Sequence, residues 1–257
     1  MEDSFLLFLM VGFLAQIVDG ALGMAYGVVS SSVLLSFGVP PAAASASVHA
    51  AEMFTTAASA GSHVWHRNVN WALFRRLAPA GILGGVLGTY VVTAIDGDVL
   101  RPYVTVYLGI MGAYILYRAF RRAVPVDRHR AGVAAGLGGV GGFVDAVGGG
   151  GWGPVVTTGL IGAGGAPRET IGTVNTVEFF LTTAISISFV VAILTGHWED
   201  AGGLVDHAWA VGGLIVGGVA AAPLAGYVTR ILPYRVLMVA VGLLIVLIAI
   251  YQASRLL

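Results

Sequence analysis

Two stretches, Val18–Gly27 (VDGALGMAYG) and Val144–Gly153 (VDAVGGGGWG), place an aspartate and several glycines inside very apolar parts of this 257-residue chain. Shifting the sequence by 126 residues (145 − 19) aligns Asp19 with Asp145 and, without a gap, Glu52 with Glu178. Self-similarity at a fixed offset indicates repeated structure. The chain is therefore a tandem duplication, and the quoted stretches are two copies of one element.

The composition excludes an ordinary soluble domain. The chain is 57% hydrophobic and 10% charged, whereas soluble domains carry roughly 25% charged residues. Long apolar blocks recur from end to end, and about 20 apolar residues suffice for a transmembrane helix. They lack the alternation of barrel strands. We predict an all-α polytopic membrane protein surrounded by lipid. Zero net charge argues against a nucleic-acid partner, and the lack of cysteine excludes disulfides and thiol chemistry.

Each repeat divides into five helical segments, separated by glycine and proline. The first repeat is residues 1–122, the linker 123–130 is expected in the cytoplasm, and the second repeat is residues 131–257, all within one membrane domain. The segments are expected near 4–18, 24–37, 41–62, 71–95 and 101–122, and then near 131–144, 152–163, 167–195, 207–230 and 233–254. This division predicts eight to ten transmembrane or re-entrant helices.

Arginine predicts the orientation, because loops rich in basic residues stay in the cytoplasm. The chain has 13 basic residues, all arginine. One orientation places every arginine except Arg101 and Arg255 inside and both termini outside. The two repeats then have opposite orientations, which is the inverted-repeat architecture of many secondary transporters.

The first two segments of each repeat are too short to cross a core of roughly 30 Å comfortably. They could be two tilted spans, but we favour re-entrant hairpins that enter from opposite faces. Their tips would be VDGALG and VDAVGG. Broken backbone at that depth requires surrounding protein or water, so we expect both tips at the centre of the molecule.

Glycine breaks that precede helix starts predict an anion site. Unpaired N–H groups and the positive end of the helix dipole attract anions there. Hydroxyl and polar side chains follow in both copies. The expected binding residues are Gly23, Gly27, Ser31, Ser32, His49, Gly149, Gly150, Gly153, Thr157, Thr158 and Asn175. The alternative is that the glycines only permit close helix packing.

Four carboxylates are candidates for coupling or gating, because ionisable groups within a membrane are costly and usually functional. They are Asp19, Glu52, Asp145 and Glu178. We expect the glutamates to carry protons, with His49 beside Glu52; a structural hydrogen-bond network is the alternative. The aspartates would orient the breaks or cap the following helices. His49-x-x-Glu52 is a weak metal motif, and neither a metal nor a cofactor is predicted.

The chain resembles the TauE/SafE sulfite exporter family. The resemblance rests on three stretches: Asp19–Gly27, Gly38–His49 with Glu52, and Asp145–Pro154. It implies a prokaryotic inner-membrane transporter with two related halves, not an enzyme, that moves small sulfur oxyanions such as sulfite or organosulfonates, often outward. Combined with the residues above, it predicts an alternating-access exporter coupled to protons.

Three alternatives remain open from the sequence. The cargo could be another small anion, or a cation bound directly by Glu52 and Glu178. A more remote alternative is an intramembrane aspartyl protease in which Asp19 and Asp145 share a proton. The protease-type GxGD sequence is absent from the chain, which argues against this last alternative.

Overall fold

The computed structural model describes residues 2–121, 131–198, 208–231 and 233–256. Within these residues the chain forms ten helices and no strand, which confirms the all-α prediction. The helices are α1 Glu2–Leu22, α2 Tyr26–Ser36, α3 Pro41–Trp65, α4 Trp71–Ala94, α5 Gly97–Ala119, α6 Ala131–Gly148, α7 Gly153–Gly162, α8 Pro167–Leu194, α9 Ala208–Ile231 and α10 Tyr234–Leu256.

Local sequence explains most helix boundaries. Proline begins α3 and α8, where its missing N–H costs nothing. The turns before them contain Gly38 and Gly164 with φ of 87° and 99°, a conformation that favours glycine. The predicted start of α5 at residue 101 was four residues late. The Asp96 side chain accepts hydrogen bonds from the first free N–H groups and so begins α5 at Gly97.

The first helix of each repeat is longer than predicted. α1 has 21 residues and α6 has 18, so Asp19 and Asp145 lie in their last turns and not in the breaks. Gly20 is helical, since one glycine in a helix costs only about 1 kcal/mol. The helices end where Gly23 and Gly149 adopt φ of 65° and 64°. The tips are therefore shorter than VDGALG and VDAVGG.

Contacts between helices follow the repeat. α1 packs against α9, and their counterparts α6 and α4 pack against each other in the same way. Both pairs run parallel and approach closely at glycine, as where Gly217 meets the Leu9 carbonyl and Gly142 meets the Gly81 carbonyl. α3 packs antiparallel to its counterpart α8, and α5 antiparallel to α10. Each of these contacts joins one repeat to the other; the inverted repeat and its orientation in a bilayer stay predictions.

Loops gather at two opposite ends of the molecule. At the arginine end, the α3–α4 loop meets the start of α8 through a 2.7 Å bond from Arg168 to Asn68, and Arg235 reaches the Ala119 carbonyl. At the acidic end, the α4–α5 loop with Asp96 and Asp98 lies beside the α2–α3 turn, and Arg101 donates to the Gly38 carbonyl.

This arrangement distinguishes the hairpins from the helices that cross. α8 ends at the acidic end, where Trp198 lies near Asp96, and α9 follows it. α1 starts beside the start of α9, and α2 also ends at the acidic end, so α1 and α2 form a hairpin. α6 and α7 form the equivalent hairpin at the arginine end, where Gly162 approaches Arg118. The other six helices run from one end to the other. α4, α5, α8 and α10 are long and apolar enough to span a membrane, and large apolar side chains cover much of their outer surface. The protein is an integral membrane protein.

Candidate functional site

The two chain breaks cross in direct contact at the centre of the molecule. A Cβ added to Gly27 would lie 2.8 Å from the Gly150 Cα. A Cβ added to Gly153 would lie 2.6 Å from the Met24 Cβ. Shifting by 126 residues (153 − 27 and 150 − 24) exchanges these two contacts. Glycine is therefore required at 27, 150 and 153 because two backbones approach closely there. At 23 and 149 it is required by positive φ.

Each break is held by the aspartate that precedes it. Asp19 Oδ1 accepts a 3.3 Å hydrogen bond from the Tyr26 N–H, and Asp145 Oδ1 accepts a 2.9 Å bond from the Trp152 N–H. These N–H groups would otherwise be unpaired at the starts of α2 and α7. Both aspartates thus cap the helix that follows, which is the interpretation that sequence analysis had weighed against a direct functional role.

Hydroxyl groups fasten each break to the other. Ser31 donates to the Gly149 carbonyl, and its counterpart Thr157 donates to the Gly23 carbonyl at 3.3 Å. Both carbonyls belong to the positive-φ glycines that end α1 and α6. We call the two bonds the hydroxyl latches. They hold the hairpins together in this conformation.

Four carboxylates line a small cavity beside the crossing. Asp19, Glu52, Asp145 and Glu178 are at most 8% exposed, and the cavity volume is about 10 Å³. That volume is on the order of one water molecule, so a sulfur oxyanion does not fit in this conformation. The described residues that line the cavity include no arginine. Glu52 Oε1 lies close to Gly27, 2.9 Å from where an added Cβ would be, and the other three carboxylates line the same cavity.

His49 connects the third helix to the second break. Its Nδ1 lies 2.7 Å from the Ser45 carbonyl, and its Nε2 lies 3.1 Å from Asp145 Oδ2. A carbonyl only accepts hydrogen bonds, so Nδ1 must carry a proton. Nε2 and Asp145 therefore share a second proton or another cation. The counterpart of His49 is Asn175, whose amide points instead to Ser59 and His63.

Several predicted binding residues lie away from the crossing. Thr158 donates to the Pro154 carbonyl of its own helix and accepts from the Tyr114 hydroxyl on α5. The Asn175 side chain, on α8, points to Ser59 and His63 near the arginine end of α3. The Ser32 carbonyl accepts from Gln252 of α10. The remaining predicted residues meet at the centre, namely Asp19, Gly23, Gly27, Ser31, His49, Glu52, Asp145, Gly149, Gly150, Gly153, Thr157 and Glu178.

Three aromatic residues that the sequence analysis did not assign to the site support the breaks. The Tyr26 hydroxyl donates to the Leu214 carbonyl, and the Trp152 indole to the Val174 carbonyl. Their equivalent positions in the two repeats were the available signal. The Tyr107 hydroxyl donates to the Gly150 carbonyl at 2.8 Å. No sequence pattern indicated Tyr107, which lies on a helix remote from the repeat motif.

Comparison with known proteins assigns the family. The family described as sulfite exporter TauE/SafE matches residues 8–252. The chain belongs to this family. It is similar to the "Probable membrane transporter protein YtnM" of Bacillus subtilis (strain 168), with 40% identity over 252 residues, covering 95% of this chain and 80% of that protein. No solved structure matches the chain significantly.

Family membership makes this TauE/SafE protein a membrane transporter. Membership of a transporter family argues against an intramembrane protease in which Asp19 and Asp145 share a proton. So does the geometry, because Asp145 uses one carboxylate oxygen for the Trp152 N–H and the other for His49. A pair of aspartates that shares one proton would need those oxygens to face each other.

Proposed function

We propose that this protein is a secondary transporter that exports small sulfur oxyanions, such as sulfite or organosulfonates, by alternating access. It would act in a prokaryotic cytoplasmic membrane, with two inverted repeats and both termini outside. The family description supports this substrate class. The hairpins that enter from opposite ends support the mechanism, because broken helices at the repeat interface form the binding sites of many transporters.

The observation that carries the proposal is the direct crossing of two helix starts at the centre. Helix starts attract anions through free N–H groups and the helix dipole. In this conformation Asp19 and Asp145 take those positions, at the Tyr26 and Trp152 N–H groups. Separation of the hairpins would open the hydroxyl latches. It would release the hydroxyls of Ser31 and Thr157, together with backbone N–H groups, to an oxyanion.

The four carboxylates would bind the coupling cation. An anion cannot approach four uncompensated negative charges in a medium of low dielectric constant. Cation binding and oxyanion binding should therefore favour each other. The cavity and the crossing are adjacent, because Gly27, Gly150 and Gly153 belong to both. Their proximity allows this coupling.

Flux measurements in proteoliposomes test the proposal. Vesicles containing the purified protein are loaded with radiolabelled sulfite or taurine, and efflux is followed with and without an imposed cation gradient. We expect sulfite efflux that accelerates with the gradient, and slower efflux of taurine, an organosulfonate whose ammonium group offsets its negative charge. Absence of flux for sulfite, sulfoacetate and thiosulfate alike would reject the substrate class.

Gly150→Ala should abolish this flux, with Gly136→Ala as the matched control. The new methyl group of Gly150→Ala would collide with the backbone of Gly27 and Val28, whereas Gly136 of α6 has open space. Overpacking in a close-packed site costs about 1–3 kcal/mol. The crossing would therefore be forced apart while the control remains active. Full activity of Gly150→Ala would show that the crossing is not part of the transport path.

A cationic cargo is the second candidate, and the four carboxylates around one cavity favour it. Electrical recording on supported membranes separates the two functions. Sulfite export moves negative charge outward, unless a matching cation accompanies it. A current that requires a metal or organic cation, persists without any oxyanion and disappears in Glu178→Gln would support cationic cargo and reject the anion.

A further inference from the structure

We infer that His49, Glu52 and Asp145 form a binding site for one first-row divalent transition-metal ion. The sequence predicts no metal, because His49-x-x-Glu52 has no second histidine at helical spacing and no HExxH motif. The fold supplies Asp145 from the other repeat. The inference concerns a bound ion and stands whatever the cargo is.

The three side chains offer ligand atoms in one place. One atom from each residue, an imidazole nitrogen and two carboxylate oxygens, lies within 4.8 Å of the others. His49 and Glu52 project from α3, while Asp145 comes from the last turn of α6. All three are at most 3% exposed. Small side-chain adjustments bring such atoms to the roughly 2.0–2.2 Å that metal–ligand bonds require.

The hydrogen bonds of His49 orient it as a ligand. Nδ1 donates to the Ser45 carbonyl, with Nε2 directed to Asp145. A neutral imidazole with this bond presents the Nε2 lone pair to the carboxylate. Metal-binding histidines almost always donate their other ring N–H to a carbonyl or carboxylate, which fixes the tautomer and the ring orientation. A cation between the two lone pairs satisfies both.

A carboxylate oxygen of Glu52 gives a second reason to place an ion here. This atom, Oε2, is buried and has no hydrogen-bond partner among the described residues, although Glu52 lines the central cavity. A buried carboxylate oxygen without a partner is costly. The cavity of about 10 Å³ has room for one ion in place of that missing partner. Glu52 and Asp145 line this cavity, and His49, which is not part of the lining, reaches the site through its contact with Asp145 Oδ2. Asp19 and Glu178 line the same cavity and add negative charge around the site.

The donor set selects the class of ion. Calcium and magnesium prefer oxygen ligands alone, whereas imidazole together with carboxylate suits manganese, iron, cobalt and zinc. Two carboxylates also balance a divalent charge. The site is unique to one side of the pseudo-symmetry, because Asn175 replaces histidine and its amide oxygen is a weaker ligand.

Manganese EPR on the purified protein tests the inference. Protein in detergent is stripped with EDTA, dialysed and titrated with Mn²⁺, and the free-ion signal is recorded. We expect one Mn²⁺ bound per chain in the wild type. His49→Asn, which installs the residue of the other repeat, should weaken binding at least tenfold, following the effect of losing a metal-site group. His63→Asn, a histidine of α3 at the arginine end, should bind as the wild type does.

The outcomes are distinguishable from those of the transport assay. A wild-type titration that matches buffer, with one melting temperature in Mn²⁺, Zn²⁺ and EDTA, would overturn the site and leave a proton between His49 and Asp145. Equal weakening by His63→Asn would also overturn it, because the ion would then lie elsewhere. Mn²⁺ bound by the wild type and lost in His49→Asn supports the site even if sulfite efflux is absent, in which case only the proposed function fails.

Discussion

The two breaks share one backbone design but differ in their side-chain contacts. In each, an aspartate caps the next helix, a glycine with positive φ ends the preceding one, and a hydroxyl from the other hairpin fastens the glycine carbonyl. Among the described residues, only Asp145 of the second break has a histidine on its other oxygen. The counterpart contact of Asp19 is missing because Asn175 turns towards the arginine end.

This difference separates architecture from chemistry. The shared contacts are those needed to break a helix in an apolar interior without leaving buried N–H groups unpaired. The contacts found in one copy alone, around His49 and Asp145, are not needed for that purpose. Duplication thus supplies the geometry twice, and divergence places the ionisable pair in one half.

Replacement of the two aspartates should give the largest difference between the breaks. Asp19→Ala removes a cap, which costs about 0.5–2 kcal/mol. Asp145→Ala also leaves the buried His49 ring without its Nε2 partner, and an unsatisfied buried polar group costs about 1–3 kcal/mol in addition. Thermal unfolding in detergent measures both. Asp145→Asn is the control, since its amide retains the cap and can donate to His49. Equal losses for both alanine variants would show that the His49 contact contributes nothing.

The hydroxyl latches should be close to equivalent, because they are the same contact in two copies. We expect Ser31→Ala and Thr157→Val each to lower stability by about 1 kcal/mol, the usual contribution of one hydrogen bond. Both should also increase exchange between conformations, visible as faster proteolysis of the hairpins. The double variant should be additive. Stabilisation by either substitution would contradict the assigned role of the latches.

The smallest expected effect concerns one residue of the first break. Ala25 has φ of 136°, which residues with a Cβ rarely adopt, and glycine occupies the equivalent position 151. Ala25→Gly should therefore stabilise the protein by up to about 1 kcal/mol. Gly151→Ala should destabilise it, since a new methyl group would meet the Tyr107 hydroxyl. The measurement is the unfolding temperature of each variant, with Gly61→Ala at an open helical position as the control. A lower unfolding temperature for Ala25→Gly than for the wild type would contradict the prediction.

Sequence alone predicted the duplication, the helical class, the order of elements and most of the central cluster. Those features depend on local patterns: glycine and proline breaks, matched carboxylates and arginine-rich loops. The ends of α1 and α6 were missed because a glycine does not by itself end a helix: it costs only about 1 kcal/mol, so α1 continues through Gly20 to Leu22 and α6 to Gly148. The directions of Thr158 and Asn175 were missed because each side chain also has a partner on another helix, Tyr114 on α5 and Ser59 on α3.

The cluster of His49, Glu52 and Asp145 shows the same limit of prediction from local sequence patterns. His49 and Glu52 are visible as neighbours on one helical face, but Asp145 reaches them from residues far along the chain. The repeat predicted that Asp145 would lie near the centre. The repeat could not predict that Asp145 would contact His49 and not Glu178. The contact between His49 and Asp145 breaks the symmetry between the two repeats.

The pairing of α1 with α9 has a consequence for biosynthesis. α1 packs through Gly12 against α9, a helix that starts 186 residues after the end of α1 (208 − 22) and is therefore synthesised much later. At about 5–20 residues per second, α1 waits roughly ten seconds or longer for its partner. During that time its small, glycine-lined face must be covered by lipid or by the insertion machinery. Premature release of a truncated chain should therefore leave α1 a preferred target for membrane quality-control proteases.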